Sequence, residues 1–303
     1  MRSIFSAEPA RGWIPWGLFA PILAFVFIIA PDLGVSPVLV EYGILDAEWE
    51  PVGVNGFIGF LLVPFAASAL VVLLWVMLVE QRPLATIGLA PQFAPSFLSG
   101  HLIGIAMISS VVGATWAFGG YEAGGIGKAF SDGRAMASIG FLLLAFLVQA
   151  SVEEIIFRGW LLSAITRKLG LVAAVVLSGA LFTLLHFGKG QPLLATANTF
   201  LFALFASAWA LRAGNIWGVM GWHAGWNWML AVAFELPVTG IDVGLPALVI
   251  DMVPRGPEQL TGGAEGPEAS IFCTILLVAA SLGLLASRGS TDERTAKLHQ
   301  TQV

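Results

Sequence analysis

Ser151-Val152-Glu153-Glu154-Ile155-Ile156-Phe157-Arg158 places three charges inside one of the longest apolar runs of the chain. At the centre of a lipid-spanning helix a charged side chain costs about 2.5–3.5 kcal/mol on insertion scales, so such residues mark a site, a proton path or a structural ion pair. The apolar surroundings are general. Of 303 residues 57% are hydrophobic and only 11% charged, and the mean hydropathy is +0.87, which excludes an ordinary soluble domain. Several stretches approach or exceed the roughly 20 apolar residues that cross a bilayer core. The expected fold is all-α, a polytopic membrane helix bundle surrounded by lipid.

Working outward from the charged stretch, apolar runs predict about eight spans, at 13–30, 56–79, 98–118, 136–166, 171–187, 193–211, 216–235 and 270–287, joined by segments rich in Gly, Pro and charge. The fourth exceeds a straight crossing and is expected to tilt or bend, with any break near the glutamate pair. The first lacks a small-x-small cleavage site before Pro31 and is read as a retained helix rather than a signal peptide. Residues 31–55 carry Asp32, Glu41, Asp46, Glu48 and Glu50 without Lys or Arg, an acidic external loop.

Eight spans put both termini on one side. Placing them in the cytoplasm assigns Arg2, Arg11, Arg82, Arg167, Lys168, Arg212, Arg288, Arg294 and Lys297 to that face, against Lys128, Arg134, Lys189 and Arg255 outside, as the positive-inside rule requires. Residues 288–303, with His299, become a polar cytoplasmic tail, and 236–269, rich in Gly and Pro and carrying Glu258, Glu265 and Glu268, a mobile external loop. No repeat of 20 to 50 residues divides the chain, so 1–303 is one membrane domain. Its Ala- and Gly-rich composition points to a bacterial inner membrane. The single cysteine, Cys273, excludes a disulfide framework and a Cys-based zinc site. No basic cluster with interleaved aromatics suggests nucleic acid.

Helical geometry separates the two glutamates. Glu154 and Arg158, four apart, lie one above the other in the favoured order for an ion pair. Glu153 lies on another side and is left to act on something else; a carboxylate without a cation in an apolar site is the kind of group that serves as a general base near neutral pH. All three charges could instead form a stabilising network, but a second glutamate would then be costly to keep. Phe182 and His186 share a face of the next span. Later, His223 and Asn227 share one, with Gly221 and Gly225 offering a surface for close helix approach. His101 has no polar helical partner beyond Ser99 and is read as structural. Polar groups on three spans are expected to converge on the bundle interior, where one base, two histidines and an amide make a hydrolytic site.

The three motifs, EExxxR at Glu153, Glu154 and Arg158, FxxxH at Phe182 and His186, and HxxxN at His223 and Asn227, occur in that order on successive hydrophobic segments. Over about residues 136–235 the chain resembles the CPBP intramembrane proteases, also called the type II CAAX prenyl endopeptidase or Abi family, whose eukaryotic member is the Ras-converting enzyme. The resemblance implies hydrolysis of a peptide bond in a membrane-associated protein or peptide. It implies that Glu153 with His186 activates the attacking water, that His223 with Asn227 stabilises the oxyanion, and that Glu154 and Arg158 hold the architecture, with Phe182 a packing residue. The family has been described both as metalloproteases and as glutamate proteases. No cofactor is assigned, and zinc held by Glu153, His186 and His223 stays open, although no HExxH pair is present. The resemblance does not fix the substrate or whether it is prenylated.

Other classes fit less well. A rhomboid needs Gly-x-Ser-Gly, and Leu177-Ser178-Gly179 lacks the first glycine; a presenilin-like enzyme needs Gly-x-Gly-Asp, and no aspartate falls in the expected spans. A proton-coupled transporter would use Glu153, His186 and His223 as a relay, but the internal repeats and matched broken helices of transporters are not seen. A non-catalytic scaffold or immunity factor of the same fold is opposed by the complete motif set.

Overall fold

The computed structural model describes residue 5 and residues 10–91, 94–188 and 191–300, with 288–300 described as backbone only. Arg2, Lys189 and the side chains of Arg288, Arg294 and Lys297, all used in the charge assignment, lie outside what is described, as do residues 301–303 and the side chain of His299.

Backbone polar groups in hydrocarbon must be satisfied within the chain, and the helix does so locally. Eight long helices result among the described residues: α1 (Ala20–Glu41), α2 (Gly53–Val79), α3 (Ala94–Ala117), α4 (Gly133–Leu169), α5 (Leu171–Leu185), α6 (Leu193–Ala213), α7 (Trp217–Ala233) and α8 (Ile271–Gln300). By length and composition α1, α2, α3, α4 and α6 can cross a membrane; α5 and the apolar part of α8, Ile271–Ser287, are shorter, and α7 has 17 residues. The chain is a multi-pass membrane protein.

The first span corrects the sequence expectation. Its helix starts at Ala20 and continues to Glu41, through Pro31 and Pro37. Membrane helices tolerate such prolines, and Asp32 stays helical because the Ser36 hydroxyl, one turn on, donates to its carboxylate at 2.9 Å. The acidic loop therefore begins only at Tyr42. There Asp46 accepts from the backbone N–H of Glu48 (3.0 Å) and Glu50 (2.8 Å), a turn that suits a short aspartate.

α4 is capped by Asp132, whose carboxylate accepts from the N–H groups of Arg134 and Ala135. It does not break at the glutamate pair. Directly after Glu154 it widens into a π-helical segment, Ile155–Leu161, of the kind often found at functional sites. The widened backbone gains an outside partner, since the Ser178 hydroxyl of α5 donates to the Phe157 carbonyl at 2.9 Å. Beneath the segment, Glu80 at the end of α2 accepts from the indoles of Trp75 (3.1 Å) and Trp160 (2.8 Å) and pairs with Arg82, which also donates to Ser163 at 3.0 Å. Arg82 is thus buried rather than displayed on the cytoplasmic face.

α3 and α7 pack backbone to backbone. A Cβ at Gly100 or Gly104 would collide with the carbonyl oxygens of Gly218 and Trp222, and one at Gly221 or Gly225 with those of Phe97 and His101. With no hydrophobic force between helices in lipid, such small-residue contacts are what seat one helix on another. Gly221→Ala should cost about 1–3 kcal/mol by overpacking. We expect a lowered thermal unfolding transition in detergent; an unchanged transition would show that the helices can part freely.

The 236–269 connection is not a loose loop, contrary to its Gly and Pro content. It contains β2 (Ile250–Pro254), antiparallel to β1 (Tyr121–Ile126), with Tyr121 opposite Pro254 and Ile126 opposite Ile250. Tyr121, whose phenol is raised by burial above its ordinary range, donates to the Thr261 carbonyl at 2.7 Å. Lys128 reaches Asp251 at 2.6 Å, a hydrogen bond that raises its own proton affinity. The connection forms a folded roof over the helices.

Candidate active site

Under the roof lies a cavity of about 420 Å³ whose wall includes Glu153, His186, His223 and Asn227, carried by α4, the end of α5 and α7. The structure thus brings together the four residues singled out from the sequence. Opposite is an apolar face from α1 and α2, with Ile28, Phe57, Phe60 and Phe65. The roof contributes Val238, Thr239, Glu265 and Glu268. His101 is not on the wall; it packs near Trp228 on the α3–α7 seam, ring centroids 6.2 Å apart.

His223 sits between the two glutamates. Its Nδ1 is 2.9 Å from Glu154 Oε1 and its Nε2 is 3.9 Å from Glu153 Oε2. A carboxylate only accepts, so Nδ1 carries the proton and Nε2 turns to Glu153. Glu154 has a partner beyond the Arg158 that spacing gave it. Glu154 is off the cavity wall, but its Oε1 receives both His223 and Arg158 Nη1, the latter at 3.1 Å. Spacing along one helix reveals the partner four residues away; it says nothing of a side chain arriving from another helix.

Arg158 is fully buried and its guanidinium carbon lies 4.2 Å from the centroid of the Phe182 ring, a cation–π contact strengthened by desolvation. The other side of the motif uses the same ring: His186 lies 4.3 Å from it, centroid to centroid, and Nδ1–H of His186 donates to the Phe182 carbonyl at 2.8 Å. Phe182 therefore fixes both a buried cation and a histidine. His186 Nε2 is the free nitrogen, but no hydrogen bond or ion pair joins it to Glu153 among the described residues; His223 is the histidine next to that carboxylate.

Two features escaped the sequence. Gln149, one turn before Glu153, donates to Glu153 Oε1 at 2.7 Å and accepts from Asn227 Nδ2 at 3.1 Å; its position four residues from the glutamate was the available signal. Glu268, placed in a supposed mobile loop, accepts from Trp226 Nε1 (2.9 Å) and from the N–H of Thr239 (2.8 Å), tying the roof to α7 beside the site.

Among the described residues no three His, Cys, Asp or Glu side chains gather closely enough to hold a metal ion. His186 is directed by its own helix, and the second carboxylate at His223 lies behind the ring.

A family model described as type II CAAX prenyl endopeptidase Rce1-like matches residues 135–229. That segment runs from the first turn of α4 into α7 and carries all three motifs. No curated protein matches the chain. Over residues 135–229, which include the helices of the polar wall, the chain is thus similar to the Rce1-like type II CAAX prenyl endopeptidases, a family of proteases.

Proposed function

We propose that the chain is an intramembrane endopeptidase that hydrolyses a peptide bond of a membrane-associated protein or peptide, with Glu153 as the general base. The observation that carries this reading is the meeting of Glu153 Oε2 and His223 Nε2 at 3.9 Å on the cavity wall, a span over which one water molecule can donate to both. Glu153 takes a proton from water as the oxygen bonds to the scissile carbonyl carbon. The tetrahedral oxyanion is stabilised by Asn227, whose amide has an N–H beyond the one given to Gln149, while His223 Nε2 accepts the second hydrogen of the attacking water and orients it. The C–N bond then breaks and the proton on Glu153 passes to the leaving amine. His186 on the same wall assists in holding water or substrate. Preorganised donors in a water-poor cavity act more strongly than in solvent, so this chemistry is feasible without a metal.

The apolar face from α1 and α2 suits a substrate that keeps part of its chain in lipid. The test is cleavage of a library of membrane-anchored peptides by protein reconstituted in lipid nanodiscs, read by mass spectrometry. We expect discrete endoproteolytic products, and the same initial rates after exhaustive treatment with a strong chelator. Loss of activity on chelation with recovery on adding zinc would replace the glutamate mechanism by a metal-dependent one; absence of cleavage throughout would remove the endopeptidase reading.

A further inference from the structure

We propose that Gln149 is a positioning residue that sets the working geometry of both Glu153 and Asn227; the role assigned to it rests on the endopeptidase reading above. Gln149 is buried on the cavity wall and bridges two helices through its amide. Nε2–H donates to Glu153 Oε1 at 2.7 Å, and Oε1 accepts from Asn227 Nδ2 at 3.1 Å.

The direction of this chain is dictated by chemistry. An ionised carboxylate has no donor, so the Gln149 atom facing it must be the NH₂ group. The Gln149 carbonyl then faces Asn227, and Asn227 must answer with its own NH₂ group. Glu153 thereby sets the orientation of an amide on another helix, through a side chain that makes no bond in the reaction. The base is specified by the same link. Its Oε1 is occupied by Gln149, whereas Oε2 is buried without a hydrogen-bond partner and is the oxygen beside His223 Nε2. One carboxylate oxygen is held and the other is presented.

A glutamine serving only as packing could be replaced by an apolar side chain of similar length with little effect on turnover. Gln149→Met, which keeps the length and removes both hydrogen bonds, separates the alternatives. We expect kcat to fall about 10–100-fold, as for a small misplacement of reacting groups, while KM stays within about twofold. In an Asn227→Ala background the same substitution should cost distinctly less, because one of its two objects is gone. A third readout needs no substrate. The infrared carboxylate stretch of Glu153, assigned by its loss in Glu153→Gln, should shift in Gln149→Met as its donor is withdrawn.

A wild-type kcat in Gln149→Met, or a fall in kcat with the Glu153 band unmoved, would overturn the proposal. If the wild-type protein cleaves none of the peptides, the endopeptidase reading fails by itself, and the infrared band still decides whether Gln149 controls Glu153: a shift supports it and an unmoved band overturns it.

Discussion

Glu153→Gln is expected to lower peptide cleavage by about 10²–10⁴-fold or more, the range that a positioned general base contributes, without loss of the folded state. The substituted amide keeps the size of the side chain but has a far weaker acceptor for the water proton. It also disturbs the Gln149 contact at 2.7 Å, since only its carbonyl can still accept there. Nothing cationic is lost by the change, because Arg158 pairs with Glu154 and the contact of Glu153 to His223 is a loose 3.9 Å. Replacing a buried carboxylate whose contact to His223 is only a loose one removes a desolvation cost, so the unfolding transition should be equal to wild type or higher. Initial rates and thermal unfolding measured on the same preparation check both halves. Cleavage at the wild-type rate would remove Glu153 as the base.

Glu154→Gln should show a different pattern, with stability and activity falling together. One oxygen, Glu154 Oε1, receives both Arg158 at 3.1 Å and His223 at 2.9 Å. Removing its charge leaves a fully buried guanidinium with the Phe182 ring and the charge of Glu153 as its remaining support, and breaking a buried pair in this way typically costs about 3–5 kcal/mol. It also frees the imidazole to turn, because a carboxamide can meet Nδ1 with either its oxygen or its nitrogen. The expected result is a large drop in unfolding temperature, with reduced turnover in the fraction that remains folded. An unfolding transition indistinguishable from wild type would mean that Arg158 is carried by other groups.

Much of the helical frame could be read from hydropathy, since in lipid an apolar run of sufficient length has no other way to satisfy its backbone. The reading failed where a local rule was overridden. Pro31 and Asp32 resemble a helix end, yet α1 runs past both. The roof was misread because Gly and Pro signal irregular chain, whereas what orders it is distant: Ile250–Pro254 pairs with a strand in the connection between α3 and α4. At the site, neighbours on one helix were legible. Spacing put Arg158 with Glu154 and Phe182 with His186, and the structure has both contacts. Partners across helices were not legible. Nothing along the chain states that His223 meets Glu154, or that Asn227 meets Gln149.

The glycine seam between α3 and α7 bears on how such a protein can diverge. The segment matched by the family model, 135–229, holds every motif residue, but α7 is seated by Gly100 and Gly104 of α3, and the apolar side of the cavity belongs to α1 and α2. A fragment cut to the motifs would carry the reacting groups with neither the support that aligns His223 nor the surface opposite it. On the proposed reading, the reacting groups lie in the matched stretch while part of the apolar cavity wall lies outside it. On the same reading, substitutions at Ile28, Phe57, Phe60 or Phe65 reshape what the cavity accepts while the reacting groups stay untouched, so selectivity can change from a part of the sequence that the family signature does not read.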